Sequence, residues 1–238
     1  VEVVGAGSAG RDDVAADNGI REVLIDVNVG MPRCGIAPDA AGALADRARD
    51  AGLEVRGVMG YEGHVVLVED RNERATQTAS AMELLARAHA EVGGDVISAG
   101  GTGTYDLNTY ATEIQAGSYA LLDTAYAKVV PQFASALTIV ATVIHADEGW
   151  SVADCGLKAL GMDHRDPSID GAAVWFCSDE HVTFKPATAV AVGDRVVVRP
   201  AHVDPTVAYH ARMYVADGPG LDAAIVDEWP VDLRGWDV

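Results

Sequence analysis

Lysine is nearly missing from this chain. Only Lys128, Lys158 and Lys185 occur among its 17 basic residues, and all three lie in the second half. Against those 17 stand 36 acidic residues, a formal charge of −19, spread along the chain and not run together. No basic face is left for nucleic acid or an anionic membrane, so both are excluded as partners. The same excess suits a protein kept dispersed by self-repulsion. Cysteine is scarce too. Cys34, Cys155 and Cys177 are odd in number, far apart and form no CxxC. They read as reduced thiols of a cytoplasmic protein and not as a disulfide framework. No apolar run is long enough to span a bilayer, and Val1 opens no basic-then-apolar leader, so secretion and membrane insertion are not expected.

What is present is enough apolar sequence for a core. With 238 residues, 49% of them hydrophobic, the chain supports one large domain or two modest ones. The first half alternates strand and helix patterns. Val23–Val29, Glu54–Met59, Asp95–Ser98 and Glu113–Ala116 read as strands; Ala40–Ala51 and Asn72–Val92 read as helices stopped by glycines. Strands separated by helices predict parallel β/α units. From about Leu137 the pattern becomes short Val-rich strands between turns: Thr138–Ile144, Ala173–Cys177, His181–Phe184, Arg195–Val198, Met213–Val215 and Ala223–Val226. A β-domain over 135–238 is therefore expected to follow an α/β domain over 1–134.

Several stretches carry ligand-type residues. Val1–Gly10 matches a strand followed by GxGxxG, the mark of a dinucleotide site, but the helix after it would end by Gly19. A glycine-rich loop is the commoner meaning. Ser98–Tyr105 follows a strand, and Gly100, Gly101 and Gly103 with Thr102 and Thr104 form a candidate anion nest, phosphate being the natural guest. Arg33 follows the first strong strand, where a barrel mouth or a surface turn are equal readings. Tyr61 and His64 follow the next strand and are acid/base and ring-stacking candidates. The His202-Val-Asp204-Pro205 stretch follows Arg195–Arg199. If that strand continues, His202 and Asp204 share a face and offer a nitrogen and a carboxylate to a divalent metal, with Pro205 ending the strand.

Taken in order, these stretches resemble the D-threonine aldolase and D-serine dehydratase-like family of fold-type III pyridoxal-phosphate enzymes. The resemblance is carried by Ile25–Gly35, Gly57–His64, Ser98–Asp106, Glu113–Tyr119, Asp154–Leu160, Ser178–His181, His202–Thr206 and Trp229–Trp236. It implies part of a PLP-binding (β/α) barrel, the C-terminal portion of an alanine racemase-like TIM barrel, followed by a β-domain. It implies that Gly100–Gly103 hold the cofactor phosphate, that Arg33 lies near the phenolic oxygen, that Tyr61 lies at the cofactor, and that His202 and Asp204 bind the metal. The dehydratase branch carries Cys at the second ligand position. Asp204 thus points to the aldolase branch and to Mn2+ or Mg2+, with Zn2+ as an alternative.

The implied activity is retro-aldol cleavage of a D-β-hydroxy amino acid to glycine and an aldehyde, with PLP as electron sink and His64 as candidate base. A homodimer is the oligomeric state that relatives suggest. One departure stands out. The family's Schiff-base lysine precedes the Arg33 motif, and no lysine of this chain matches it. The expectation is a truncated enzyme lacking roughly the first half of its barrel. The rival readings are a dehydratase- or racemase-like PLP enzyme, a noncatalytic remnant and an NAD- or FAD-binding protein.

Overall fold

Buried valines and isoleucines on every second residue build the first part of the molecule. In the computed structural model, the backbone of residues 2–4 and all of residues 19–234 are described. The chain divides into two compact units, Val1–Gly117 and Ser118–Val238. The first is a five-stranded parallel sheet in sequential order: β1 (Glu2–Val4), β2 (Glu22–Asp26), β3 (Glu54–Gly60), β4 (Val96–Ala99) and β5 (Glu113–Ile114). Val23, Ile25, Val27 and Val29 are at most 2% exposed and face the same core as Val58, Ile97 and Ala99. Leu24 and Asp26 between them are buried as well, so β2 is covered on both faces, as a central strand of a parallel sheet is.

Two helices supply that cover. Helix α1 (Ala41–Asp50) is entered through a 3-10 turn that begins with Pro38 and buries Ala41, Leu44, Ala45 and Ala48. Helix α2 (Arg71–Val92) starts where the Asp70 carboxylate accepts the Glu73 N–H at 2.8 Å, and it buries Ala81, Met82, Leu85 and Ala88. A small-residue face lets α1 lie close, while α2 fills the remaining space with Leu85. Strands and helices of this unit fall within a few residues of their expected places. The Gly5–Gly10 fingerprint lies outside the described residues.

The second unit is built around a closed six-stranded antiparallel barrel. Its strands are β6 (Ile139–Ala146), β7 (Ser151–Ala153), β8 (Ser168–Ile169), β9 (Ala172–Cys177), β10 (Val182–Pro186) and β11 (Arg195–Arg199), ordered β10-β7-β6-β11-β8-β9. Closure leaves no free edge, and a barrel this narrow is filled by side chains. Phe184, Val143, Val182 and Val198 fill it, each at most 1% exposed. The β7 and β8 strands, three and two residues long, are too short to show in a sequence pattern. The expected change of character near residue 135 lies inside this unit, just before the first barrel strand.

One sequence expectation is corrected here. The β11 strand ends at Arg199 and does not run on to residue 204. His202 is extended (φ −144°, ψ 118°) and caps a short helix, α3 (Val203–Tyr209). Pro205 therefore sits in the first turn of a helix, where its missing N–H has no partner to lose. An antiparallel ribbon, β12 (Arg212–Ala216) with β13 (Ile225–Pro230), follows.

Candidate functional site

The parallel sheet brings its motif residues to one edge. Arg33 follows the end of β2, Tyr61 and His64 follow β3, and Gly100–Thr104 follow β4. All three segments thus leave the carboxyl ends of neighbouring parallel strands, the edge where such sheets bind ligands. A cleft there is lined by Asp26, Asn28, Met31, Arg33, Cys34 and Tyr61. The Arg33 guanidinium carbon sits 5.4 Å from the centre of the Tyr61 ring, within cation–π range. The exposed His64 ring packs over Gly30, whose missing Cβ would lie 2.9 Å from that ring. The cleft thus sets a cationic group against a flat aromatic face.

The glycine loop differs from the open nest expected for it. Glu62 is fully buried, and its carboxylate accepts the Gly100 N–H at 3.1 Å and the Thr104 hydroxyl at 2.7 Å. That hydroxyl in turn accepts the Gly101 N–H at 3.0 Å. Part of the anion nest is thus filled by a carboxylate of the chain itself, and Thr104 is not turned toward a ligand. Thr102 is 2% exposed. A Cβ on Gly103 would lie 1.8 Å from the Val66 carbonyl oxygen, so a bare backbone is needed for the turn after β3 to pack on this loop. Glu62 was visible as the acid of the Tyr61-Glu62-Gly63-His64 run, but nothing in that spacing shows it turning inward.

In the second unit His202 and Asp204 do meet, by a different route from the one expected. The Oδ2 atom of Asp204, in the first turn of α3, lies 3.2 Å from His202 Nε2. Several contacts fix this turn. The Val203 N–H donates to the buried Asp123 carboxylate at 3.1 Å, which satisfies a helix-start donor that His202 leaves open. Thr206 donates its hydroxyl to the His202 carbonyl at 2.6 Å and accepts the Gly161 N–H at 2.9 Å. Gly161 forms an antiparallel bridge with His202, and a Cβ there would lie 2.3 Å from Pro205 Cγ.

That bridge carries two further residues to the site. Both oxygens of Asp163 lie within hydrogen-bond reach of His202 Nδ1, at 2.8 and 2.9 Å. The His164 ring stacks on His202, centroids 3.8 Å apart and planes 12° from parallel. Asp163, His164 and His202 form a group whose ligand atoms lie within 4.8 Å of one another. The hydrogen bond to Asp204, and then those contacts with Asp163, push the His202 pKa up to about 9 against the opposing effect of burial. The His202 hydrogen bond holds Asp204 below the usual carboxylate range. Burial opposes the same shift in Asp163, yet His202 still lowers it.

One observation tests whether a divalent cation fits. His164 Nδ1 is buried and has no hydrogen-bond partner among the described residues. Unused nitrogen capacity beside the Asp163 carboxylate and a second imidazole is a donor set that suits such an ion. Asp163 and His164 were not singled out from the sequence. Their only signal was two ligand-type residues side by side after Gly161.

Two other motifs of this unit, Asp154–Leu160 and Ser178–His181, pack on each other. Gly156 and Leu157 pack on the Ser178 carbonyl, and the exposed Lys158 pairs with Glu180 at 2.7 Å. His181 lies beside Glu180, and the metal-type group does not include it. All three cysteines are free, and burial pushes the Cys155 thiol up to about 12. No helix among the described residues is long and apolar enough to cross a membrane.

Two family models match successive parts of the chain. Residues 11–124 match the alanine racemase N-terminal domain, and residues 136–216 match the putative serine dehydratase domain. A D-threonine aldolase from an Arthrobacter species is 33% identical over 90% of this chain and 61% of its own length. A 3-hydroxy-D-aspartate aldolase from Paracoccus denitrificans is 30% identical over 90% of this chain and 60% of its own. The chain therefore spans about three fifths of the length of these curated relatives. The crystal structure of a D-threonine aldolase from Filomicrobium marinum superposes with a TM-score of 0.86 at 28% identity, covering 94% of this chain and 66% of that one.

Proposed function

Since the chain belongs to the D-threonine aldolase and alanine racemase-like family, we propose that it serves a pyridoxal-phosphate- and metal-dependent lyase that cleaves D-β-hydroxy amino acids to glycine and an aldehyde. The observation that carries this reading is Asp204, a carboxylate and not a thiol, 3.2 Å from His202 Nε2. On this reading the parallel sheet is part of a PLP-binding (β/α) barrel. Cytoplasmic location and a homodimer go with it.

When bound, the cofactor would supply an electron sink and the cation, Mn2+ or Mg2+, would supply positive charge. The remaining work belongs to residues of this chain. Arg33 neutralises the cofactor's anionic edge, and the Tyr61 face orients its ring. Gly100, Gly101, Thr102 and Gly103, braced through Thr104 by Glu62, shape the loop that receives its phosphate. His202 and Asp204 hold the cation. His64 takes the proton of the β-hydroxyl as the Cα–Cβ bond breaks. The electron pair of that bond goes to Cα, the proton held on His64 returns there to give glycine, and the β-carbon leaves as the aldehyde carbonyl. No residue of the first unit is a lysine, so covalent attachment of the cofactor is assigned to no residue of that unit.

The test is an aldehyde-release assay on D-threonine with PLP and Mn2+ added to the full chain. Expected are PLP uptake, followed by a change in its absorbance, and aldehyde release that depends on Mn2+ and vanishes in Asp204→Ala. Ammonia in place of aldehyde would move the reading to a dehydratase. Cofactor or metal uptake with no turnover would make the chain a noncatalytic binder.

A further inference from the structure

We propose that Asp163 is the positioning residue of this metal centre: it holds the proton of His202 on Nδ1 and so turns the Nε2 lone pair toward the cation, beside Asp204. The inference rests on reading His202 and Asp204 as ligands. It adds a residue that decides which edge of the imidazole is used.

A neutral imidazole has one N–H and one lone pair, and a metal needs the lone pair. Carboxylates face both edges of His202. Asp163 approaches Nδ1 with two oxygens, at 2.8 and 2.9 Å, and Asp204 approaches Nε2 with one, at 3.2 Å. When the cation displaces one of the two ring protons, the closer, two-oxygen partner keeps the other. Nε2 and Asp204 are then two acceptors facing each other, with the cation taking the place of the proton between them. Such a carboxylate–histidine pair behind a metal ligand fixes ring orientation and raises ligand basicity.

The backbone commits Asp163 to this position. The Gly161–His202 bridge sets the two segments antiparallel, and Pro205 packs where a Gly161 side chain would stand. His164, next in the chain, lies flat on His202 at 3.8 Å, so the imidazole has little room to turn over. A competing arrangement would set the cation on the other edge, among Asp163, His164 and His202. The paired short contacts to Nδ1 favour a hydrogen bond on that edge.

The experiment is Mn2+ titration calorimetry on the full chain, for wild type, Asp163→Asn and Asp163→Ala, with circular dichroism to check folding. Asp163→Ala is expected to weaken Mn2+ binding about 10- to 100-fold. Asp163→Asn keeps a carbonyl oxygen to accept the Nδ1 proton, so its loss is smaller than that of Asp163→Ala. Nitrogen NMR of the cadmium-loaded wild type, which needs no variant to fold, is expected to show coupling from the metal to His202 Nε2. Coupling to Nδ1, or an Asn variant as poor as the Ala one, would make Asp163 a ligand and overturn the proposal. Unchanged affinity in Asp163→Ala would overturn it while leaving the ligand reading intact. No Mn2+ uptake by wild type would overturn both.

Discussion

The two units assemble their chemistry in opposite ways. In the first, each candidate residue lies on the segment that leaves a strand, and parallel pairing carries the segments of Arg33, Tyr61 and Gly100 to a common edge. In the second, the cluster joins two segments about forty residues apart, Asp163–His164 and His202–Asp204, through a single bridge at Gly161. A site on parallel strand ends follows from local pattern plus topology. A site on a barrel's connecting segments follows from packing, and it depends on a proline seated over a glycine.

The largest effect expected comes from emptying the barrel. Phe184→Ala removes a side chain that is 1% exposed and is expected to cost about 3–5 kcal/mol, read as a lower urea midpoint. Because His202 and Gly161 are held by this unit's packing, Mn2+ affinity should fall with it. Affinity that survives would break the contrast, since the cluster would then hold together without the barrel. A smaller effect tests the other side. Glu62→Ala leaves the Gly100 N–H buried without its acceptor, for about 1–3 kcal/mol. Glu62→Gln keeps an acceptor oxygen and should lose less. Equal losses would mean that the carboxylate's charge, and not its oxygen, braces the glycine loop.

The third prediction is a pH dependence confined to the second unit. Paired with Asp204 and Asp163, His202 has its pKa raised from 6.5 to about 9. A raised histidine contributes stability that is fully present below its unfolded value and is lost as pH rises through the folded one. The lowered carboxylates contribute above their ordinary 3.8 and lose that contribution as pH falls through their folded values. The metal-free chain should therefore lose thermal stability between about pH 6 and pH 10. Saturating Mn2+, which needs His202 deprotonated, should reverse the slope. A flat profile in the metal-free protein would show that the cluster is not formed in solution.

Much of the fold was legible before any coordinates. Val23, Ile25, Val27 and Val29 alternate, glycines stop both helices, and the Val-rich second half announced its strands. What failed did so for identifiable reasons. The β7 and β8 strands are held by barrel closure and not by propensity, so their few residues show no period. The apolar run of β11 invited an extension through His202, whereas Asp123 and Thr206 close a helical turn there. Even so, His202 and Asp204 meet, because the extended backbone of His202 at the helix start lets its ring reach the carboxylate in the first turn. The strand geometry expected for the pair is thus replaced by a helix start, with the two side chains still 3.2 Å apart.

By itself the sequence determined the alternation of elements, the shift from α/β to β, and which residue types could hold a ring, an anion or a cation. These are local properties, set by periodicity and by chemistry that each residue carries alone. Only the tertiary structure decided that Glu62 turns inward to brace the glycine loop, that Asp163 and His164 join His202, and which carboxylate faces which nitrogen. Those outcomes hang on contacts between segments distant in the chain, and no local pattern encodes where a buried carboxylate finds its donors.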